Sequence, residues 1–115
     1  MQPPSILIVD DSAPMRRTIA SLLRKVVGES HECSDGDEAL EAYARYRPDW
    51  VLMDIKMERV DGLDATRQIV AAFPDANVAI ITNFDEPGMQ KKASEAGARV
   101  CLLKDDLTAL RKLIC

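Results

Sequence analysis

Asp10 and Asp11 stand side by side directly after "ILIV", Asp54 follows "VLM", Thr82 follows "VAII" and Lys104 follows "VCLL". Four apolar runs therefore end in residues that can do chemistry. Two carboxylates about 5 Å apart repel by roughly 3 kcal/mol at an effective dielectric near 20, and left alone each raises the pKa of the other. A hard divalent cation with oxygen ligands removes that conflict. Two or three carboxylates that leave positions for water and phosphate oxygens suit Mg2+ better than an enclosing calcium cage. Zinc is disfavoured, because His31 is the sole histidine and structural or catalytic zinc calls for nitrogen or sulfur ligands. An amine and a hydroxyl beside such a metal suit an anion. Phosphoryl transfer needs an in-line nucleophile, a metal bridging the transferred oxygens and donors for the remaining charge. Asp54 as nucleophile, Asp10 and Asp11 on Mg2+, and Thr82 and Lys104 as donors meet that list. With no glycine-rich phosphate cradle in the chain, a bound nucleotide is not required and the phosphoryl group arrives from elsewhere.

Taken singly, each residue has a plainer use. Asp10 or Asp11 can help cap a helix, Asp54 can open a loop, Thr82 is a good strand former and Lys104 can be a solvated strand end. The chemical reading depends on their being brought together. The four runs are apolar on both faces and rich in β-branched residues, as parallel strands covered by helices on each side should be. A fifth segment, around His31 to Ser34, is mixed in polarity and fits an edge strand.

Helical spacing fills the gaps. Met15, Ile19, Leu22, Leu23 and Val26 form one stripe, with Ser12 as its cap and Pro14 in the first turn. Ala39, Leu40, Tyr43 and Ala44 form a second that ends at "RP"; Leu63, Thr66, Ile69, Val70 and Phe73 form a third that stops before Pro74. A fourth helix, poor in large apolar residues, runs from near Pro87 to Ala96 and is closed by Gly97. The fifth starts near Leu107 and continues through Leu110, Leu113 and Ile114. Alternating strands and helices predict a doubly wound α/β fold with a five-stranded parallel sheet and five helices. With the polar second strand at an edge, the order is 2-1-3-4-5, the flavodoxin-like topology, and the candidate residues gather at the carboxyl ends of the strands where such folds bind ligands.

Composition narrows the function further. With 115 residues, the chain from 1 to 115 is expected to form one domain, able to bury roughly two thirds of its unfolded surface. Hydrophobic residues at 47% and charged residues at 30% fit a globular protein, and a net charge of −4 argues against direct nucleic-acid binding. Cys33, Cys101 and Cys115 lack Cys-x-x-Cys spacing; they read as reduced thiols, two of them small buried fillers and one near the terminus. "MQPP" is not the start of a signal peptide and no apolar run approaches the ~20 residues that span a membrane. The expected location is the cytoplasm, without membrane contact.

In order and spacing, "ILIVDDS", "VLMDIKMERVDG", "IIT" and "LLKD" resemble bacterial response-regulator receiver domains, the CheY-like family, over nearly the whole chain. "FPDANVAIIT" and "GARVCLLKDD" resemble the NarL-type subgroup in particular. The resemblance implies two-component signalling in which Asp54 accepts phosphate from a histidine kinase or histidine phosphotransfer protein. It also implies that Asp10, Asp11, Asp54 and the backbone carbonyl of Lys56 surround Mg2+, and that Lys104 contacts the phosphoryl group. On this reading the chain is no enzyme beyond its own aspartyl phosphorylation and dephosphorylation. NarL-type members usually carry a helix-turn-helix output domain; this chain stops at Cys115, where that linker would begin, as either a stand-alone receiver or one excised from a longer regulator.

Some positions depart from the family pattern. Cys101 stands where an aromatic residue usually precedes the lysine by three, so an aromatic swing cannot be the signal. Glu58 replaces a common proline, Asn83 and Phe84 follow Thr82, and Asp105 follows Lys104, the last being shared with the NarL-type subgroup. Phosphorylation is expected to change the face formed by helix four, strand five and helix five, which meets a downstream protein or an attached output domain. A second copy would pair through that face or through helices one and five.

Three rival readings have distinct signatures. A dehalogenase-type phosphatase needs an acid two residues after the nucleophile, where Lys56 stands, and so lacks a proton donor. An interaction module that keeps the fold without being phosphorylated is made credible by Cys101. A flavin binder would want more aromatics than the 4% present.

Overall fold

In a computed structural model, which describes residues 2–83 and 86–114, the short apolar runs are strands. They are β1 (Ile6–Val9), β2 (Ser30–Cys33), β3 (Trp50–Asp54), β4 (Val78–Thr82) and β5 (Val100–Leu103). The helices between and after them are α1 (Ala13–Leu23), α2 (Ala39–Tyr46), α3 (Gly62–Ala72), α4 (Met89–Ala96) and α5 (Leu107–Ile114), with a short 3-10 turn at Gly36–Glu38 ahead of α2. All strand pairs are parallel and the order is β2-β1-β3-β4-β5. This is the flavodoxin-like arrangement expected from the run of polarities. β2 is at an edge and keeps only Cys33 buried, whereas β1 and β4 are buried throughout.

Strand alternation divides the core in two. Leu7, Val9, Val51, Met53, Val78 and Ile80 face α2, α3 and α4, packing with Tyr43, Ile69 and Ala93. Ile6, Ile8, Leu52, Ala79 and Ile81 face α1 and α5, against Ile19, Leu23, Leu110 and Ile114. Both faces of the central strands are thus apolar, which is why these strands read as unbroken hydrophobic runs.

The helix ends carry small corrections. Ser12 does cap α1, accepting the Met15 N–H at 3.2 Å, but α1 stops at Leu23 and Val26 lies in the turn beyond it. Val26 still packs on the α1/α5 side, so apolar spacing continued past the helix. Likewise Phe73 follows α3, and its N–H still bonds the Ile69 carbonyl at 2.7 Å. α4 starts at Met89 rather than near Pro87, because Gly88 takes a left-handed conformation (φ 86°) that interrupts any helix entering from Pro87. Gly97 closes α4 as expected. Cys33 and Cys101 are buried free thiols, whereas Phe84 and Cys115 lie outside the described residues.

Leu110 is fully buried between α5 and the sheet. Leu110→Ala should lower stability by about 2–5 kcal/mol, seen as a lower urea midpoint with an unchanged slope.

Candidate functional site

Strand register delivers the candidate residues to one edge. Val9 pairs with Met53, so Asp10 and Asp54 are the next residues of neighbouring strands. Asp54 pairs with Ile81 and Thr82 with Leu103, which puts Thr82 one step and Lys104 two steps further on. The Lys104 N–H bonds the Thr82 carbonyl at 2.8 Å and holds the start of the post-β5 segment against β4. From beyond β5 the lysine side chain reaches back over β4 to the acids, Asp54 two strands away on β3 and Asp10 three strands away after β1. Its Nζ lies 3.0 Å from Asp10 Oδ2 and 3.0 Å from Asp54 Oδ1.

The burial of the site is graded. Asp10, Asp54 and Thr82 are 2%, 8% and 1% exposed, while Asp11 is open to solvent. Asp10 is held on three sides: Oδ1 accepts the Ser12 N–H at 2.9 Å, Oδ2 takes the lysine, and its carbonyl accepts Arg16 Nη1 at 2.6 Å. Arg16 also binds Glu32 on β2 through Nε at 2.9 Å, tying the edge strand to the site. One carboxylate oxygen from each of Asp10, Asp11 and Asp54 falls within a 4.8 Å cluster.

Three carboxylates and one ammonium leave this cluster with a formal charge of −2 (three negative, one positive). The charge and the all-oxygen donor set fit one hard divalent cation. Burial pushes the Asp54 carboxyl above its ordinary range; the hydrogen bond from Lys104 opposes that shift and the nearby Asp10 adds to it. For Lys104 burial acts downward, but Asp54 and Asp10 outweigh it and hold the ammonium above its ordinary value. The lysine faces two carboxylates and Asp54 faces one lysine. Lys104 is therefore firmly charged, and Asp54 takes up a proton more readily than an ordinary aspartate does.

The loop from 55 to 61 between β3 and α3 carries the exposed Lys56. Its base is closed by the Gly62 N–H donating to the Ile55 carbonyl at 2.7 Å. No side chain fits at Gly62, since a Cβ there would lie 1.8 Å from the Asp54 carbonyl oxygen. Asp61 caps α3 through the Asp64 N–H at 2.9 Å. A cleft of about 380 Å³, lined by Asp11, Ser34, Asp35, Glu38, Glu58 and Arg59, opens beside the acids rather than over Asp54.

Asp35 escaped the sequence reading. It is 7% exposed and accepts the N–H groups of Arg59 and Val60, each at 3.0 Å. The one local signal was an Asp-Gly pair before a helical stripe, which by itself indicates only a turn. The expected role of Lys104 also needs widening. Besides being a donor for an anion, it pairs with both Asp10 and Asp54 and offsets part of their charge. Cys101 is buried beneath α4 and gives its carbonyl to Gln90 Nε2 at 3.0 Å.

The profile of the response regulator receiver domain matches residues 6–114. Transcriptional regulatory protein PdtaR of Mycobacterium tuberculosis is 38% identical over 106 residues, covering 89% of this chain and 50% of PdtaR. Chemotaxis protein CheY of Thermotoga maritima is 35% identical over 100 residues, covering 86% of this chain and 83% of that protein. Among solved structures, the signal receiver domain of the response regulator NarL from Mycobacterium tuberculosis superposes with a TM-score of 0.85 at 27% identity, over 99% of this chain and 94% of that one. This chain belongs to the response regulator receiver domain family, the signal-receiving class of two-component systems, with the NarL-type likeness seen in its motifs. It spans half the length of PdtaR and most of that CheY. The phosphatase, flavin and unphosphorylated-module readings are not favoured by these relatives. Among the described residues no helix is long and apolar enough to cross a membrane.

Removing the lysine leaves Asp10 and Asp54 facing each other. Because all three side chains are nearly sealed from water, Lys104→Ala should cost about 3–5 kcal/mol near neutral pH, the range typical of a broken buried pair. The deficit should shrink as pH falls and Asp54, its carboxyl held above the ordinary range, protonates. In the wild type the stabilisation from Lys104 is complete below about pH 10.5, its unperturbed value, and is lost as pH rises through the higher folded value. Urea unfolding of both proteins across pH measures each effect.

Proposed function

We propose that this chain acts as a single phosphoacceptor unit, in which Asp54 takes a phosphoryl group from the phosphohistidine of a histidine kinase or histidine phosphotransfer protein. The observation that supports this most is the lysine ammonium shared by Asp10 and Asp54 at 3.0 Å each, at the carboxyl edge of the sheet. Asp10, Asp11, Asp54 and the backbone carbonyl of Lys56 would hold Mg2+. When bound, Mg2+ supplies positive charge against the oxygens of the transferred group.

Asp54 attacks as the carboxylate, which Lys104 favours against burial and the nearby Asp10. The new O–P bond forms on the carboxylate as the N–P bond of the donor breaks. The electron pair of that bond stays with the imidazole, which leaves neutral when its other ring nitrogen carries the proton. The aspartyl phosphate carries about one more negative charge than the carboxylate it replaces. Lys104 and the Thr82 hydroxyl are the donors that turn toward it. Attack by water on phosphorus later restores Asp54, so the chain's chemistry begins and ends on its own side chain.

Thr82 ends β4, just before the segment that leads into α4. α4 buries only Met89, Ala93 and Ala96 and turns its charged residues outward, which makes it a low-stability element able to respond. With Cys101 in place of an aromatic, the read-out is a shift of α4 against β5 and α5. That face then meets a downstream protein, an attached helix-turn-helix domain or a second copy; helices one and five offer the other pairing face for a copy. A cytoplasmic location fits this chemistry.

Incubation with acetyl phosphate and Mg2+ should add one alkali-labile phosphoryl group by intact mass, and none in Asp54→Asn. No adduct in the wild type, or an equal adduct in the variant, would contradict the assignment.

A further inference from the structure

The β3–α3 loop is held at its base by Gly62 and Ile55, and its outer limb is held from another part of the chain. The Asp35 carboxylate, in the segment after β2, accepts the Arg59 N–H on Oδ2 at 3.0 Å and the Val60 N–H on Oδ1 at 3.0 Å. Both oxygens of a buried carboxylate are thus spent on consecutive backbone groups 24 and 25 residues away. Gly36 lets the loop come this close, because a Cβ at that position would lie 2.3 Å from the Val60 carbonyl oxygen. Next to it, the exposed Arg59 guanidinium pairs with Asp37 at 3.0 Å.

A buried charge is costly unless it is fully hydrogen-bonded. Burial pushes the Asp35 carboxyl up, but N–H groups of Val60, Arg59, Asp37 and Gly36 more than offset this and keep it below the ordinary range. It therefore holds the loop as an ion, with charge-assisted bonds stronger than neutral ones. Between the two clamps lie Lys56, Met57 and Glu58. Asp35 and Glu58 also line the cleft that Asp11 enters, so the clamp forms part of the wall beside the acids.

We infer that Asp35 is a positioning residue for the divalent-cation site: by gripping the N–H groups of Arg59 and Val60 it fixes the loop so that the Lys56 carbonyl is presented to the acid cluster before metal arrives. The inference rests on the reading above that this carbonyl completes the Mg2+ site. Asp35 touches neither metal nor phosphate. Its contribution is the ordering of a ligand, which outer partners of metal sites commonly supply.

The test is Mg2+ titration of the unphosphorylated protein by calorimetry, together with amide exchange of residues 56–60 without metal. Asp35→Ala should weaken Mg2+ binding by about tenfold or more and speed exchange in the loop. Asp35→Asn keeps the shape but turns an NH2 group toward a backbone N–H, and should weaken binding by a smaller factor. In both, saturating Mg2+ should restore the rate of labelling by acetyl phosphate. Asp49→Ala removes the carboxylate that accepts the Ser5 N–H at 2.8 Å at the far end of the sheet; it should lower stability and leave Mg2+ affinity unchanged. Wild-type affinity in either folded Asp35 variant, or an equal loss in Asp49→Ala, overturns the role of Asp35. Failure of the wild type itself to bind Mg2+ would instead remove the underlying site reading and the inference with it.

Discussion

Like charges at the carboxyl edge of an apolar sheet are the constraint on which the rest of the structure turns. Asp10 and Asp54 sit on adjacent strands, nearly sealed from water, with Asp11 completing the cluster. Their repulsion cannot be relieved by turning outward, because the strands that carry them are pinned on both faces by helices. One lysine reaching across from β5 takes up part of it. The remainder, a formal −2, is a charge that one divalent cation would balance, so the imbalance that burdens the fold is also what would favour a metal there. A phosphoryl group on Asp54 would redistribute this balance, drawing the lysine away from Asp10 and shifting the burden to the metal.

The surroundings of Asp54 serve that constraint. Gly62 leaves room for the Asp54 carbonyl where any side chain would collide, and the Gly62 N–H closes the loop base on Ile55. Arg16 joins the end of β1 to β2, and the Lys104 N–H joins the end of β5 to β4. Asp54 is therefore set in a hydrogen-bonded frame on three sides, while the fourth, toward α4, is the weakly packed one. Rigidity at the chemistry and looseness beside it are what a switch requires.

Much of this was legible from local pattern. "ILIV" and "VAII" announce strands buried on both faces, and the mixed "SHEC" announces an edge, which together determine the strand order and so the convergence of Asp10, Asp54, Thr82 and Lys104. What escaped were features that depend on partners distant in sequence. Asp35 acts through Arg59 and Val60, and no spacing within "CSDGDE" reveals them. Lys104 bridging two acids is a tertiary fact of the same kind. Helix ends failed for another reason: Val26 buries on the same side as α1 after the helix has stopped, because apolar spacing reports packing rather than backbone hydrogen bonds.

A crystal structure of the chain with Mg2+ and beryllofluoride, a stand-in for the phosphoryl group, tests the shared-charge centre most directly. Lys104 Nζ should leave Asp10 and contact a fluoride on Asp54, with the ion among Asp10, Asp11 and Asp54. A lysine still bridging Asp10 and Asp54 beside an empty acid cluster, at saturating metal and fluoride, would contradict it.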